Sequence, residues 1–167
     1  MLTFPISSHA FNSNQELILK IAETEGQKIG YPETIQAICL QETLAGYLGR
    51  YGDKDKSKNL RSYGVMQLTL GTAKYIMEKH FKFNFFGSDD EIIEALVKND
   101  TFNILLGRVY FKYLLDKFEG EHLQWSKAVL AYNVGPGNVR KYGLSFDPNN
   151  YLEMVKWRIK NQIRSAK

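Results

Sequence analysis

Cysteine occurs once in this chain of 167 residues, at Cys39, and a single thiol cannot close an internal disulfide. Lying on an apolar helical stripe, Cys39 reads as a small core residue and not as a nucleophile. No apolar run approaches the ~20 residues that a membrane-spanning helix needs. The opening residues, MLTFPISSHAFNSNQE, lack the basic start and apolar block of a secretory signal. Histidine is scarce as well: His9 and His122 fall in expected loops, and His80, one turn beyond Ile76, is expected to be half buried. No H-x-x-x-H pair and no Cys/His cluster exists, so a zinc site is not expected. Gly-rich phosphate loops and a G-x-S-x-G elbow are also missing. DKDKSKNLRSYG spaces Asp53, Asp55 and Ser57 like a calcium loop, but Lys58 stands where Gly is needed and Gly64 where a bidentate Glu is needed. Its lysines would repel the ion, so no metal and no cofactor is expected.

What the chain has is an ordinary globular composition, 44% hydrophobic, in a length that suits one domain with one core. Aromatics make up 13% of it, with ten tyrosines, and Tyr joins a flat apolar face to a hydroxyl, as sugar-binding surfaces require. The net charge of +4 gives a mild preference for anionic surroundings, which cell-wall polymers, membranes and nucleic acid all satisfy. No basic stripe interleaves with exposed aromatics, so a nucleic-acid partner is not expected.

Helical punctuation runs almost throughout. Residues 1–13 read as an extended N-terminal segment. Ser13-x-x-Glu16 reads as a capping box before a face of Leu17, Ile18, Ile21 and Ala22. Pro32 starts the next helix and Gly46 closes it. Residues 46–64 read as a long loop, with a short β-ribbon somewhere within 47–68. Thr69 caps a helix packing through Ala73, Ile76, Met77 and Phe81. After the break FFG, Ser88-x-x-Glu91 is a second box, before Ile92, Ile93, Leu96 and Val97. Asp100 or Thr101 is expected to cap the longest segment, packed through Leu105, Leu106, Val109, Tyr110, Tyr113 and Leu114. A helix from about Trp125 to Tyr132, a Gly/Pro loop NVGPGN and a last helix from about Asn149, with Tyr151, Leu152, Val155 and Ile159, complete the chain. The expected fold is mostly α, with about seven to eight helices in a single domain over 1–167.

One residue breaks the pattern. In IQAICLQETLAGY, at about 100° per residue, Ile35, Ile38, Cys39 and Glu42 share a face. An acid drawn into apolar surroundings has its charged form disfavoured and its pKa raised, the condition for a general acid near neutral pH. A Glu in a last turn can also bend out to solvent, and the helix alone does not decide. Downstream stand SYGVMQLTLGTA and AVLAYNVGPGNV. In the first, Gly64 permits close backbone approach, Met66 offers a soft apolar wall, and Gln67 offers a donor and an acceptor. In the second, Tyr132 and Asn133 end a helix beside a rigid Gly-Pro-Gly turn.

The order of these segments resembles the soluble lytic transglycosylases of the lysozyme-like superfamily: E-T after an apolar helix, G-x-M-Q before a T-A helix start, then A-Y-N-x-G-P-G. FNILLGRVYFKYLL resembles that family's helix between the second and third motifs, and Tyr151 stands where the family tends to have a late Tyr. The resemblance covers about residues 14–158 and implies a lysozyme-like fold. It implies Glu42 as catalytic acid and then base, with Gln67 and Met66 lining the site beside the scissile bond. It also implies that Tyr132 holds Glu42 protonated and placed, that Asn133 supports that wall, and that Tyr151 completes the pocket. The implied reaction cleaves the β-1,4 bond between N-acetylmuramic acid and N-acetylglucosamine in peptidoglycan and forms a 1,6-anhydro product.

The loop 46–64 departs from that pattern. It is longer than usual, and its RYGDKDK resembles goose-type lysozymes, in which an Asp places a hydrolytic water. Asp53 is therefore a candidate water-positioning residue for a muramidase, although Thr69 stands where those enzymes tend to carry another Asp. Asp53 and Asp55 can equally be solvated loop charges. A peptidoglycan-binding module without turnover is the alternative of another class. The tail KWRIKNQIRSAK sets Lys156, Arg158, Lys160, Arg164 and Lys167 opposite Val155, Ile159 and Ile163. It reads as a helix docked by its apolar row, and any membrane contact would be made through it. The expected chain is a monomer acting on the wall, periplasmic or extracellular, reaching it after lysis, on a virion, through a secretion machine or after loss of a leader.

Overall fold

The computed structural model describes residues 10–81 and 88–166. His9, Lys167, the FFG break and most of the extended segment expected for 1–13 lie outside the described residues. Among those described there are eight α-helices and one two-stranded ribbon. Helices α1 (Ser13–Gln27) and α2 (Pro32–Thr43) pack side by side, and α5 (Asp100–Lys117) lies against α1. Leu106, Phe111 and Leu114 of α5 are fully buried. Helix α6 (Gln124–Val134) packs on α5, and α8 (Tyr151–Arg158) packs on α2. The ribbon pairs β1 (Ser62–Tyr63) with β2 (Leu68–Thr69), joining Ser62 to Thr69 and Tyr63 to Leu68. It leads into α3 (Leu70–Ile76), which Thr69 caps and which widens into a π-helical turn over Met77–Phe81. Helix α4 (Asp89–Lys98) opens on the Ser88/Glu91 capping box.

Several local expectations shift by a residue or two, each for a visible reason. The first capping box is Asn12 with Gln15, not Ser13 with Glu16. This register frees the Gln15 amide to donate to the Leu44 carbonyl at 2.9 Å. Leu17, expected in the core, is 57% exposed, and Leu19 is buried with Ile18 and Ala22. Asn99 caps α5, because Asp100 is engaged by Arg50, whose Nε and Nη2 donate at 2.7 and 2.5 Å. Pro136, expected in a loop, instead occupies the first position of a helix, α7 (Pro136–Tyr142), where its missing N–H costs nothing. His80 is exposed, not half buried, with its ring 6.3 Å from that of Tyr113.

The tail docks on α2 through Val155 and Ile163, both buried. Arg158 leaves the charged face on which the helical pattern put it and is itself buried. Arg164 pairs with Glu33 at 2.6 Å.

Candidate active site

Helix α2 stops abruptly after its acid. Leu44, Ala45 and Gly46 all take left-handed φ angles of 49°, 52° and 82°. Only the glycine adopts that region freely, so Gly46 finishes a stop that Leu44 begins. Thr43 holds the stop in place. Its hydroxyl donates to the Val65 carbonyl at 2.9 Å and accepts from the Gly46 N–H at 2.9 Å. The Ala45 N–H returns to the Cys39 carbonyl at 3.0 Å. The end of α2 is thereby tied to the segment 64–67, and Glu42 stands at the join.

That segment is positioned from below by a residue the sequence reading passed over. Asn103, fully buried on α5, accepts from the Met66 N–H at 2.8 Å and donates to the Tyr63 carbonyl at 3.0 Å. The approach is so close that a Cβ on Gly64 would meet Asn103 Nδ2 at 2.0 Å. The glycine is thus required by an asparagine of the protein itself, and not by a ligand as expected. Met66 also departs from expectation. It is fully buried, and a Cβ on Gly107 would meet its sulfur at 2.3 Å. It packs inward instead of walling the cleft. Asn103 carried a weak signal: a lone amide inside the apolar run FNILL.

Gln67 follows in a left-handed conformation, φ 50°, a strain that the surroundings must hold. Its side chain is fixed at both ends, accepting from the Ser62 hydroxyl at 2.9 Å and donating to the Gly64 carbonyl at 2.8 Å. A cleft of about 390 Å3 brings Gln67 together with Glu42, Tyr132 and Asn133. Lys56 and Leu60 of the long loop, Thr69 and Thr72 at the start of α3, and Tyr110 of α5 are also part of its wall.

The two tyrosines exchange the roles expected of them. Tyr132 donates its hydroxyl to the Met66 carbonyl at 3.0 Å and so braces the loop, not the acid. Tyr151 donates to Glu42 Oε1 at 2.6 Å. Tyr151 is buried at the start of α8, where Asp147 accepts its N–H at 2.7 Å and that of Leu152 at 3.0 Å. Asp147 is a second positioning residue missed in the sequence, although the turn FDPNNY held a signal.

Burial pushes the Glu42 carboxyl up to about 7, against the hydrogen bond from Tyr151, which favours the charged form. Burial and the neighbouring Glu42 push both Tyr132 and Tyr151 well above the usual phenol range. Cys39 is driven up the same way, first by burial and then by Glu42, so it stays a neutral thiol. The cleft therefore presents one carboxyl that can hold or release a proton near neutral pH, flanked by fixed amide and hydroxyl groups.

Asp53 lies elsewhere. It is exposed, its carboxylate accepts from the Asp55 N–H at 3.0 Å, and it is absent from the cleft wall, to which Lys56 of the same loop contributes. Among the described residues no group of three or more His, Cys, Asp or Glu could hold a metal ion. No helix of the described residues is long and apolar enough to cross a membrane.

A family model described as Transglycosylase SLT domain matches residues 4–153. No curated protein and no solved structure matches the chain.

Proposed function

The chain belongs to the transglycosylase SLT family, the peptidoglycan lytic transglycosylases of lysozyme-like fold, and from that premise we propose that Glu42 cleaves the β-1,4 bond between N-acetylmuramic acid and N-acetylglucosamine without water. The observation that carries this reading is one carboxyl, on the half-buried Glu42, that desolvation pushes up to about 7 in a cleft shared with Gln67, Tyr132 and Asn133.

Glu42 starts protonated and donates to the glycosidic oxygen as the bond to the muramic acid carbon breaks. Positive charge develops on that ring. The substrate's own 2-acetamido oxygen stabilises it, so a second protein carboxylate is not required. The Glu42 carboxylate, steadied by Tyr151, then takes the proton of the sugar's 6-hydroxyl, whose oxygen closes onto the same carbon as a 1,6-anhydro ring. Glu42 ends protonated, ready for the next bond. Gln67, held at both ends, and Asn133, exposed at the rim, offer hydrogen bonds to the acetamido and hydroxyl groups of the sugars. Burial that costs stability is what keeps the proton in place.

The exposed position of Asp53 supports the route without water over a muramidase. The substrate places the action at the cell wall, in the periplasm or outside the cell. Mass spectrometry of a digest of purified peptidoglycan tests the reading. The expected products lack one water relative to hydrolytic muropeptides. Reducing muramic acid ends as the main product would overturn it.

A further inference from the structure

Helix α8 brings the Tyr151 hydroxyl to Glu42, and the same face of the helix carries a second polar link to α2. At about 100° per residue, Tyr151, Val155 and Arg158 fall within about 60° of one another, and all three are buried. Arg158 Nε donates to Gln41 Oε1 at 2.8 Å, and Tyr151 donates to Glu42 Oε1 at 2.6 Å. The two links therefore land on consecutive residues of α2. The chain then passes into a π-helical turn, Ile159–Ile163, from which Gln162 Oε1 accepts from Arg158 Nη1 at 2.7 Å. Held on two sides, the planar guanidinium has a fixed orientation. Farther along, Arg164 Nη2 meets Glu33, in the first turn of α2, at 2.6 Å. The side chains that follow Tyr151 thus grip α2 near both of its ends.

We propose that Arg158 is a positioning residue for the acid: through Gln41 it seats α8 on α2 and so keeps the Tyr151 hydroxyl on Glu42. The proposal rests on the reading of Glu42 as the acid given above. Arg158, Gln162 and Arg164 lie beyond residue 153, where the family match ends, so the grip is additional to what that match covers. The start of α8 is set by Asp147, which accepts from the Tyr151 and Leu152 N–H groups. A cap fixes where a helix begins, not how closely its later turns lie on a neighbour. A group that tunes a catalytic carboxyl has to be held to within about 0.5 Å, and that is the work of the residues behind it. Gln41 suits this link because it is neutral. A carboxylate in its place would pair more strongly with the guanidinium but would set an anion beside Glu42. The titratable groups that face Glu42 are Cys39 on α2, Tyr132 on α6 and Tyr151 on α8, with Tyr110 of α5 and Lys56 of the long loop on the cleft wall. Among the described residues, Tyr151 alone hydrogen-bonds to the Glu42 carboxyl.

The test is the pH titration of the Glu42 carboxyl, followed by 13C NMR of the whole chain labelled at its glutamate carboxyls. The resonance is identified by its loss in Glu42→Gln. Arg158→Met keeps an apolar stem and removes every donor. The expected result is a rise of about half a pH unit in the Glu42 titration, because a loosened Tyr151 bond favours the charged form less. In a Tyr151→Phe background the same substitution should add less than about 0.2 of a unit, since the bond it acts through is already gone. Gln41→Leu cuts the link from the α2 side while keeping the cation, and should move the titration in the same direction. It also stands in for Arg158→Met if that variant does not fold. An unmoved titration in the folded variants, whatever the loss of Tm, would overturn the proposal and leave Arg158 a packing contact. A rise of equal size with and without the Tyr151 hydroxyl would overturn it too, since the effect would then be the direct one of a lost cation. The titration is read without substrate, so hydrolytic products would overturn the reading of the reaction and leave this test standing.

Discussion

Two glutamates of this chain are drawn out of water, and they are handled in opposite ways. Glu25, near the end of α1, is 6% exposed and meets Arg108 at 3.2 Å and Lys28 beside it. Glu42, at the end of α2, meets a tyrosine hydroxyl at 2.6 Å, and no cation pairs with it among the described residues. The first arrangement uses the charge of a carboxylate to join α1 to α5. The second leaves a carboxyl that burial pushes up to about 7, where proton transfer in both directions is accessible. Burial alone does not make a glutamate a general acid. Burial with a neutral partner, in a cleft open to a substrate, does.

Reciprocal substitutions break the comparison most sharply. Glu42→Gln keeps the shape and an acceptor for Tyr151 but cannot give up a proton. It should lower cleavage of purified cell walls about a thousandfold or more while leaving wall binding intact. Glu25→Gln should leave the turnover of the folded enzyme near that of the wild type and instead lower stability by about 1 kcal/mol, because the half-buried Arg108 loses its charged partner and keeps only an amide oxygen. Turbidity clearing and urea unfolding, run on both variants, read the two effects separately. Wild-type-like turnover from Glu42→Gln would end the mechanism proposed here.

The partner of the acid sharpens the same contrast through pH. Cleavage requires protonated Glu42, so the rate should fall as pH rises through about 7. The Tyr151 hydroxyl stabilises the carboxylate, and removing it disfavours the charged form further. Tyr151→Phe should therefore move that alkaline limb upward by about one pH unit, with a loss of rate smaller than that of Glu42→Gln. A limb that stays in place would show that Tyr151 braces the fold without tuning the acid.

Period and punctuation in the sequence carried the helices, because which face is apolar is a local property. The acid on a dry stripe was visible for the same reason, as was the order of segments that meets it. What was hidden is contact across distance. Nothing near Asn103 announces that its amide will hold a loop 37 residues away, and nothing near Tyr132 distinguishes its target from that of Tyr151. Arg158 shows the failure most clearly. Its spacing put it among the solvated cations of an amphipathic tail, yet the docking of α8 on α2 turned it inward to Gln41. Met66 and Gly64 have a chemistry that suits a ligand, but in the fold they serve Gly107 and Asn103.

The smallest expected effect belongs to the third carboxylate, Asp53. It shares a loop with Lys56, which lines the cleft, but its own carboxylate is spent on the Asp55 N–H, while Arg61 Nε donates to its backbone carbonyl at 3.1 Å. A charge so exposed is screened by water and does not hold a reactant in place. Asp53→Asn keeps an oxygen for the local turn and should change turnover by less than about twofold, the scale of a surface substitution. The measurement is again product analysis alongside rate. A large fall in rate, together with reducing ends among the wild-type products, would move the loop into the reaction and make water the attacking group. An unchanged rate with anhydro products would leave Glu42 as the one carboxyl that the chemistry uses.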